Sequence, residues 1–175
     1  PPVTADATIA NGAATSVHGA IAMNETAGLD NAQANQLTIT TGGAVANDNF
    51  SAQSSTVAAK VKAARASIEG NAFSSTSGAV MLNQSAGAGN LQQNSVQLGT
   101  AVLGVETVPD GVLSATAAKN GGSGQSIGVQ GVREASISND AFKNVSGIVQ
   151  INQTAGAGNA TANSFVLRPP AGTLF

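Results

Sequence analysis

Apolar residues recur along this chain at a spacing of two rather than three and four. Ile21 and Met23, Val80 and Leu82, and Val149 and Ile151 form such pairs. Leu37 and Ile39, Val96 and Leu98, and Phe165 and Leu167 form a second set. A period of two places side chains on one face of a β-strand. Between the two sets lie polar stretches: NETAGLDNAQAN (24–35), NQSAGAGNLQQN (83–94) and NQTAGAGNATAN (152–163). These are copies of one another. The chain aligns with itself, without a gap, over three segments of 33 residues: 7–39, 66–98 and 135–167. Internal repetition at such a period points to a stacked architecture.

The alignment divides the chain into an N-terminal segment (1–6), repeat 1 (7–39), linker 1 (40–65), repeat 2 (66–98), linker 2 (99–134), repeat 3 (135–167) and a C-terminal tail (168–175). Each repeat reads as strand, turn, strand, turn, strand. The first turn is expected near Gly19, Gly78 and Gly147, the second at the AGxxN segment holding Gly28, Gly87 and Gly156, because glycine supplies positive φ. Linker 1 contains SSTVAAKVKAAR, where a short helix fits. Linker 2 contains Pro109-Asp110-Gly111 and a GGSG at 121–124, both loop signals. Val102, Leu103, Val105, Val108, Val112 and Leu113 could pack part of it on the core.

A single unit of this kind is flat and cannot bury itself, so copies must stack. The expected fold is all-β: a cross-β, β-solenoid-like stack with one layer per repeat, its layers about 4.7–4.8 Å apart. Equivalent residues then form columns. Asn24/Asn83/Asn152, Asn31/Asn90/Asn159 and Asn35/Asn94/Asn163 would make amide ladders, with Gln84 and Gln153 stacked on Glu25. Ile9/Ile68/Ile137, Ile21/Val80/Val149, Met23/Leu82/Ile151, Leu37/Val96/Phe165 and Ile39/Leu98/Leu167 would make apolar ladders. A three-layer stack has two open edges, and neither terminal repeat carries an obvious cap. The natural continuation is another copy of the chain, repeat 3 of one subunit meeting repeat 1 of the next in an open filament.

Composition sharpens this picture. Only 9% of residues are charged and 3% aromatic, with no Cys or Trp. Backbone bonds and stacked small side chains must therefore supply much of the stability. Within the repeats no column holds two charges: Glu25 faces Gln84 and Gln153, and Asp30 faces Gly89 and Gly158. Just ahead of them, Asp6/Arg65/Glu134 puts the cation in the middle. A net charge of −2 gives no basic stripe for nucleic acid. No apolar run approaches the roughly 18 residues of a membrane span, so no membrane insertion is expected. The chain opens with Pro1-Pro2 and no charged-then-apolar leader, as a mature form or a chain that never had one.

Candidate chemistry is sparse. His18 is the sole histidine, opposite Ser77 and Ser146, and a ligand or base needs partners that no second His or Cys provides. It reads as structural. GAGN (87–90 and 156–159) lacks the Lys-Ser/Thr of a phosphate loop and reads as a turn. Lys60, Lys62 and Arg65 read as a solvated face. Asn24, Asn83 and Asn152 each match a glycosylation acceptor pattern, but a ladder position explains them more simply. An ice-binding array would need Thr-x-Thr on every rung, and only Thr38-Ile39-Thr40 fits. No enzyme activity, cofactor or metal is expected.

The pattern AFxxxSGxxxxNxxAGxGNxxxN, clear at 72–94 and 141–163, resembles the repeats of the Fap fibril subunits, functional amyloids of Pseudomonas and related bacteria. That family also has three imperfect repeats separated by variable linkers. The resemblance covers the three repeats. It implies a secreted, extracellular subunit of fibres that stiffen biofilm matrix, with itself as main partner and other fibril subunits and a secretion apparatus beside it. Many members carry a Cys-x-Cys near the C-terminus, whereas this sequence ends RPPAGTLF. The alternative is a soluble three-rung β-solenoid acting as an adhesin or binding module, which would need covered edges.

Overall fold

The computed structural model describes residues 2–43, 45–56, 59–101, 105–107, 116–117 and 131–169. Strands are numbered along the chain. Repeat 1 contributes β1 (Val3–Ile9), β2 (His18–Leu29) and β3 (Ala32–Gly42). Linker 1 holds β4 (Val45–Asn47) and β5 (Ser54–Ser55). Repeat 2 gives β6 (Val61–Ile68), β7 (Ser77–Ala88) and β8 (Leu91–Ala101), and linker 2 gives β9 (Val105–Thr107) and β10 (Thr116–Ala117). Repeat 3 supplies β11 (Val132–Ile137), β12 (Ser146–Ala157) and β13 (Ala160–Leu167).

Equivalent strands pair in parallel, giving three three-stranded sheets: β1-β6-β11, β2-β7-β12 and β3-β8-β13. Repeat 2 is central in each. The register follows the sequence alignment, so that Asn24, Asn83 and Asn152 are direct partners, as are Ile9, Ile68 and Ile137. The fold is all-β and solenoid-like, with strands of successive repeats stacked. The β2-type sheet lies between the other two: Gln84 Nε2 donates to Ala7 O and Ser67 O on one side, and Asn83 Nδ2 donates to Ala34 O on the other.

Sandwiching decides where the core sits. β7 is buried along nearly its whole length, while β2 alternates between half-buried and exposed and most of β12 between buried and half-buried. One apolar cluster joins Ile9, Ile68, Ala72, Phe73, Val80 and Leu82, with Ile21, Met23 and Ile151 packed against it. A second is built almost wholly from alanine: Ala5, Ala7, Ala64, Ala66, Ala86 and Ala88, with Val3 and Val61. Small side chains allow the first two sheets to approach closely, which answers how so few large residues can make a core.

Two expectations are corrected. Residues 61–68 form a strand rather than a helix. Ala64 and Ala66 are fully buried in the alanine cluster, and that packing overrides the helical propensity of a Lys/Ala-rich stretch. The glycines expected at turns lie inside strands. The first reversal falls earlier, at 11–16, 70–75 and 139–144, where Ala14, Phe73 and Phe142 take φ of 51, 60 and 58°. The second falls inside the expected AGxxN segments, at Asp30, Gly89 and Gly158, with φ of 48, 66 and 66°. Gly19, Gly78 and Gly147 instead sit second in their strands, and Gly28, Gly87 and Gly156 near the strand ends, all with φ between 111 and 134°.

Part of linker 1 covers the outer face of the third sheet. Gln36 Nε2 donates to Phe50 O, Asn49 Nδ2 to Ser95 Oγ, and Gln53 Nε2 to Gln92 O. Thr38 also bonds Asn49. β4 pairs with β9 and β5 with β10, so the linkers stack where they are described. Val105 begins β9; Val102, Leu103, Val108, Val112, Leu113, Pro109-Asp110-Gly111 and the 121–124 segment lie outside the described residues.

Candidate assembly interface

The asparagine columns form continuous bonded rows. Asn83 Nδ2 donates to Asn24 Oδ1 at 3.0 Å, and Asn152 Nδ2 to Asn83 Oδ1 at 2.9 Å. Asn90 donates to Asn31 and Asn159 to Asn90, both at 2.8 Å. Asn94 donates to Asn35 and Asn163 to Asn94, both at 3.0 Å. Gln84 donates to Glu25 Oε2, and Gln153 to Gln84 Oε1, both at 2.8 Å. All eight bonds run from a later repeat to an earlier one. Backbone carbonyls fix this direction: Asn94 Nδ2 also meets Leu82 O, and Asn152 Nδ2 meets Gln93 O. Within each layer Asn35, Asn94 and Asn163 cross to Asn24, Asn83 and Asn152, joining the second and third sheets. Buried amides would be costly if unpaired, so this network fixes the layer register.

The strand glycines explain the tightest approach between layers. A Cβ on Gly78 would lie 2.0 Å from Gly19 O, and one on Gly147 2.0 Å from Gly78 O. In the other column the clash runs the opposite way along the stack: a Cβ on Gly28 would lie 1.8 Å from Gly87 O, and one on Gly87 1.8 Å from Gly156 O. Two glycines stand apart. A Cβ on Gly19 would meet nothing within 4 Å, and one on Gly156 would meet only side-chain atoms of Arg133 and Asn159. Each lies at an open end of the three-layer stack, yet keeps the backbone of the inner members of its column.

Apolar ladders are uneven. Ile68, Val80, Leu82 and Val96 are wholly buried in the central layer. At the repeat-3 end Ile137, Val149, Phe165 and Leu167 are exposed, and Ile151 is half-buried. At the repeat-1 end Ile9 is buried, Ile21, Met23 and Leu37 are half-buried, and Ile39 is exposed; Leu98 lies half-buried between Ile39 and Leu167. A groove lined by Ile148, Gln150, Asn163 and Phe165 opens between β12 and β13.

Sequence reasoning passed over one column. Phe73 and Phe142 stack face to face, ring centroids 4.9 Å apart at 6°. Phe73 is fully buried with positive φ, an unusual backbone for a bulky residue. Interlayer bonds hold it there, from Phe73 N to Ala13 O and from Phe142 N to Ala72 O. Repeat 1 has Ala14 at this position, which hid the column, although the Phe of AFxxxSG was visible. His18 Nδ1 bonds Ser77 Oγ at 2.6 Å across the layers. Among the described residues no group of three His, Cys, Asp or Glu could hold a metal, and no helix is long and apolar enough to cross a membrane.

No solved structure matches the chain. A family model does, over residues 2–170, and its description is the functional amyloid protein FapB/FapC family. The match spans the three repeats and both linkers, the same segments that supply the stacked sheets and their bonded amide rows. This chain therefore belongs to the FapB/FapC family of functional amyloid proteins.

Proposed function

We propose that the chain is a structural subunit of an extracellular fibril of biofilm matrix, in which subunits join head to tail. Repeat 3 of one subunit carries repeat 1 of the next, in register and parallel, as the repeats are stacked within the chain. The subunit is structural rather than enzymatic, and its first partner is itself. Other fibril subunits and a secretion apparatus fit the same reading.

The glycine columns carry it. Continuing the stack by one layer would bring Gly147 O of one chain against Gly19 of the next, and Gly28 O of that next chain against Gly156. Both end positions have the backbone that such a carbonyl requires; the space is open at Gly19 and covered only by side chains at Gly156. The amide rows extend the same way: Asn24, Asn31 and Asn35 of the incoming chain would donate to Asn152, Asn159 and Asn163. In a lone chain the terminal layers leave Val149, Phe165 and Leu167 in water. An added layer would cover them.

Dilution of the purified chain from denaturant, followed by electron microscopy and sedimentation, tests the reading. Unbranched filaments are expected. A stable, β-rich monomer at the same concentration would overturn it and favour the soluble solenoid module.

A further inference from the structure

Two charges break columns that are otherwise uncharged, one at each end of the stack. In the glutamine column Glu25 occupies the repeat-1 end and is half-buried, its carboxylate accepting from Gln84 on the inner side. Continuing the stack would set its outward side against Gln153 Oε1 of the preceding chain, acceptor against acceptor. In the column Ala5/Ala64/Arg133, Arg133 occupies the repeat-3 end. Ala5 and Ala64 are buried in the alanine cluster, so this position faces the space between the first and second sheets. Arg133 cannot enter that space at the end layer and folds over it instead. Its Cδ and Nε lie 3.1 and 3.2 Å from where a Cβ on Gly156 would be. Its Nη1 donates to Gly131 O, at 3.4 Å.

We propose that Arg133 of one chain and Glu25 of the next form an ion pair across the joint, and that this pair selects a second copy of the chain in head-to-tail orientation. The inference rests on the head-to-tail reading above. The geometry follows from the columns. By register Ala5 of the next chain would stack on Arg133 and its Ala27 on Ala155; Ala27 packs against the alanine cluster that holds Ala5 and Ala64, so it would lie across the inter-sheet space from Arg133, one layer on. Glu25 is two residues from Ala27 along the same face of β2, about 6.6–6.8 Å along the strand, so it faces the same inter-sheet space into which a long arginine side chain extends. The incoming Gly28 carbonyl would take ground that Arg133 now covers. On joining, the guanidinium would swing towards Glu25, supplying the donor that Gln153 lacks. Joining the other way, end to like end, would bring two Arg133 residues, or two Glu25 residues, to one joint without the opposite charge. A lone chain keeps an inward-facing charge at each edge, a device that discourages indiscriminate edge pairing.

The Asp6/Arg65/Glu134 column does not supply this selection. Glu134 points outward, 3.7 Å from Arg65 of its own chain, and would meet Asp6 of the next chain, acid against acid in open solvent. That contact is screened and opposes joining weakly.

A charge-swap experiment separates the pair from a general loss of fold. Two variants, Arg133→Glu and Glu25→Arg, are assembled from dilute monomer beside the parent chain, with light scattering as the readout. Each alone would face like charges at every joint and should assemble at least about tenfold more slowly. Mixed in equal amounts they restore opposite charges at every alternating joint, and assembly should return to near the parent rate. Parent-like assembly of either variant alone, or a mixture as slow as its components, would overturn the ion pair while leaving head-to-tail stacking in place. Failure of the parent chain to assemble would overturn both.

Discussion

Gly19→Ala isolates the joint between subunits from the joints within one. Inside the chain the new methyl group meets nothing within 4 Å, and the direct cost is the backbone, held at φ +114°. That strain amounts to about 1–3 kcal/mol. Across the joint, the same methyl would sit as a Cβ added to Gly78 would in the inner layers, 2.0 Å from a carbonyl oxygen where at least 3.0 Å is needed. The layers would have to part by about 1 Å locally. Ser77 N to Val17 O, at 2.9 Å, marks how tight the adjoining bonds are; its counterpart across the proposed joint would run from His18 N of one chain to Val145 O of the other. Parting by about 1 Å takes such a bond beyond hydrogen-bonding range. Two flanking bonds lost, at about 1–3 kcal/mol for each bond, cost the joint about 2–6 kcal/mol. Affinity at that joint should fall at least about 30-fold, since 1.4 kcal/mol is tenfold. The repeat-3 end of the variant is intact, so one Gly19→Ala chain can still add beneath the repeat-1 end of a parent fibril and then stop further growth there. Gly156→Ala should block the opposite end. Seeded growth, imaged filament by filament, reads both effects: spiked into parent monomer, each variant should halt one end, and the two together should halt both. Growth of parent seeds at both ends by pure Gly19→Ala chain, within about twofold of the parent rate, would refute the reasoning.

Three further outcomes are expected. Asn83→Asp with Asn152→Asp places carboxylates in adjacent buried layers and removes their donors; assembly at neutral pH should slow at least about 100-fold, equivalent to about 3 kcal/mol, and unchanged kinetics would sink the ladder argument. Phe73→Ala removes a fully buried ring stacked on Phe142; it should cost about 3–5 kcal/mol, read as a lower denaturant midpoint for the assembled protein. Glu134→Gln relieves the acid-on-acid contact with Asp6 of the next chain; elongation should quicken by about 1.4- to 5-fold, the range for an exposed charge pair of about 0.2–1 kcal/mol, in a seeded assay at low salt.

Strand pairing was legible in the sequence because repetition fixes it. Once Asn24, Asn83 and Asn152 are aligned, every residue of β2, β7 and β12 has its partner. Order along the chain is a different matter from chain direction, and the glycines show why. Gly78 and Gly87 carry the same signal as turn glycines. Their actual constraint, a carbonyl 2.0 or 1.8 Å from a would-be Cβ, comes from the neighbouring layer. The strand at 61–68 was hidden for a similar reason: alanine favours helix locally, and only burial against Ala86 and Ala88 makes it a strand residue here. Arg133 lay two residues ahead of repeat 3, outside the aligned columns. Its meaning appears only when β11 is seen to begin at Val132 and Arg133 to pair with Ala64.

Fibre diffraction from aligned filaments tests the head-to-tail stack most directly. Parallel layers require a meridional reflection near 4.7–4.8 Å. One chain per three unlike layers requires a second, weaker meridional repeat at three times that spacing, roughly 14 Å. Both reflections together are the predicted result. A 4.7–4.8 Å reflection with no repeat near 14 Å, in filaments ordered well enough to show one, would mean that each chain does not contribute three successive layers, and would contradict the account.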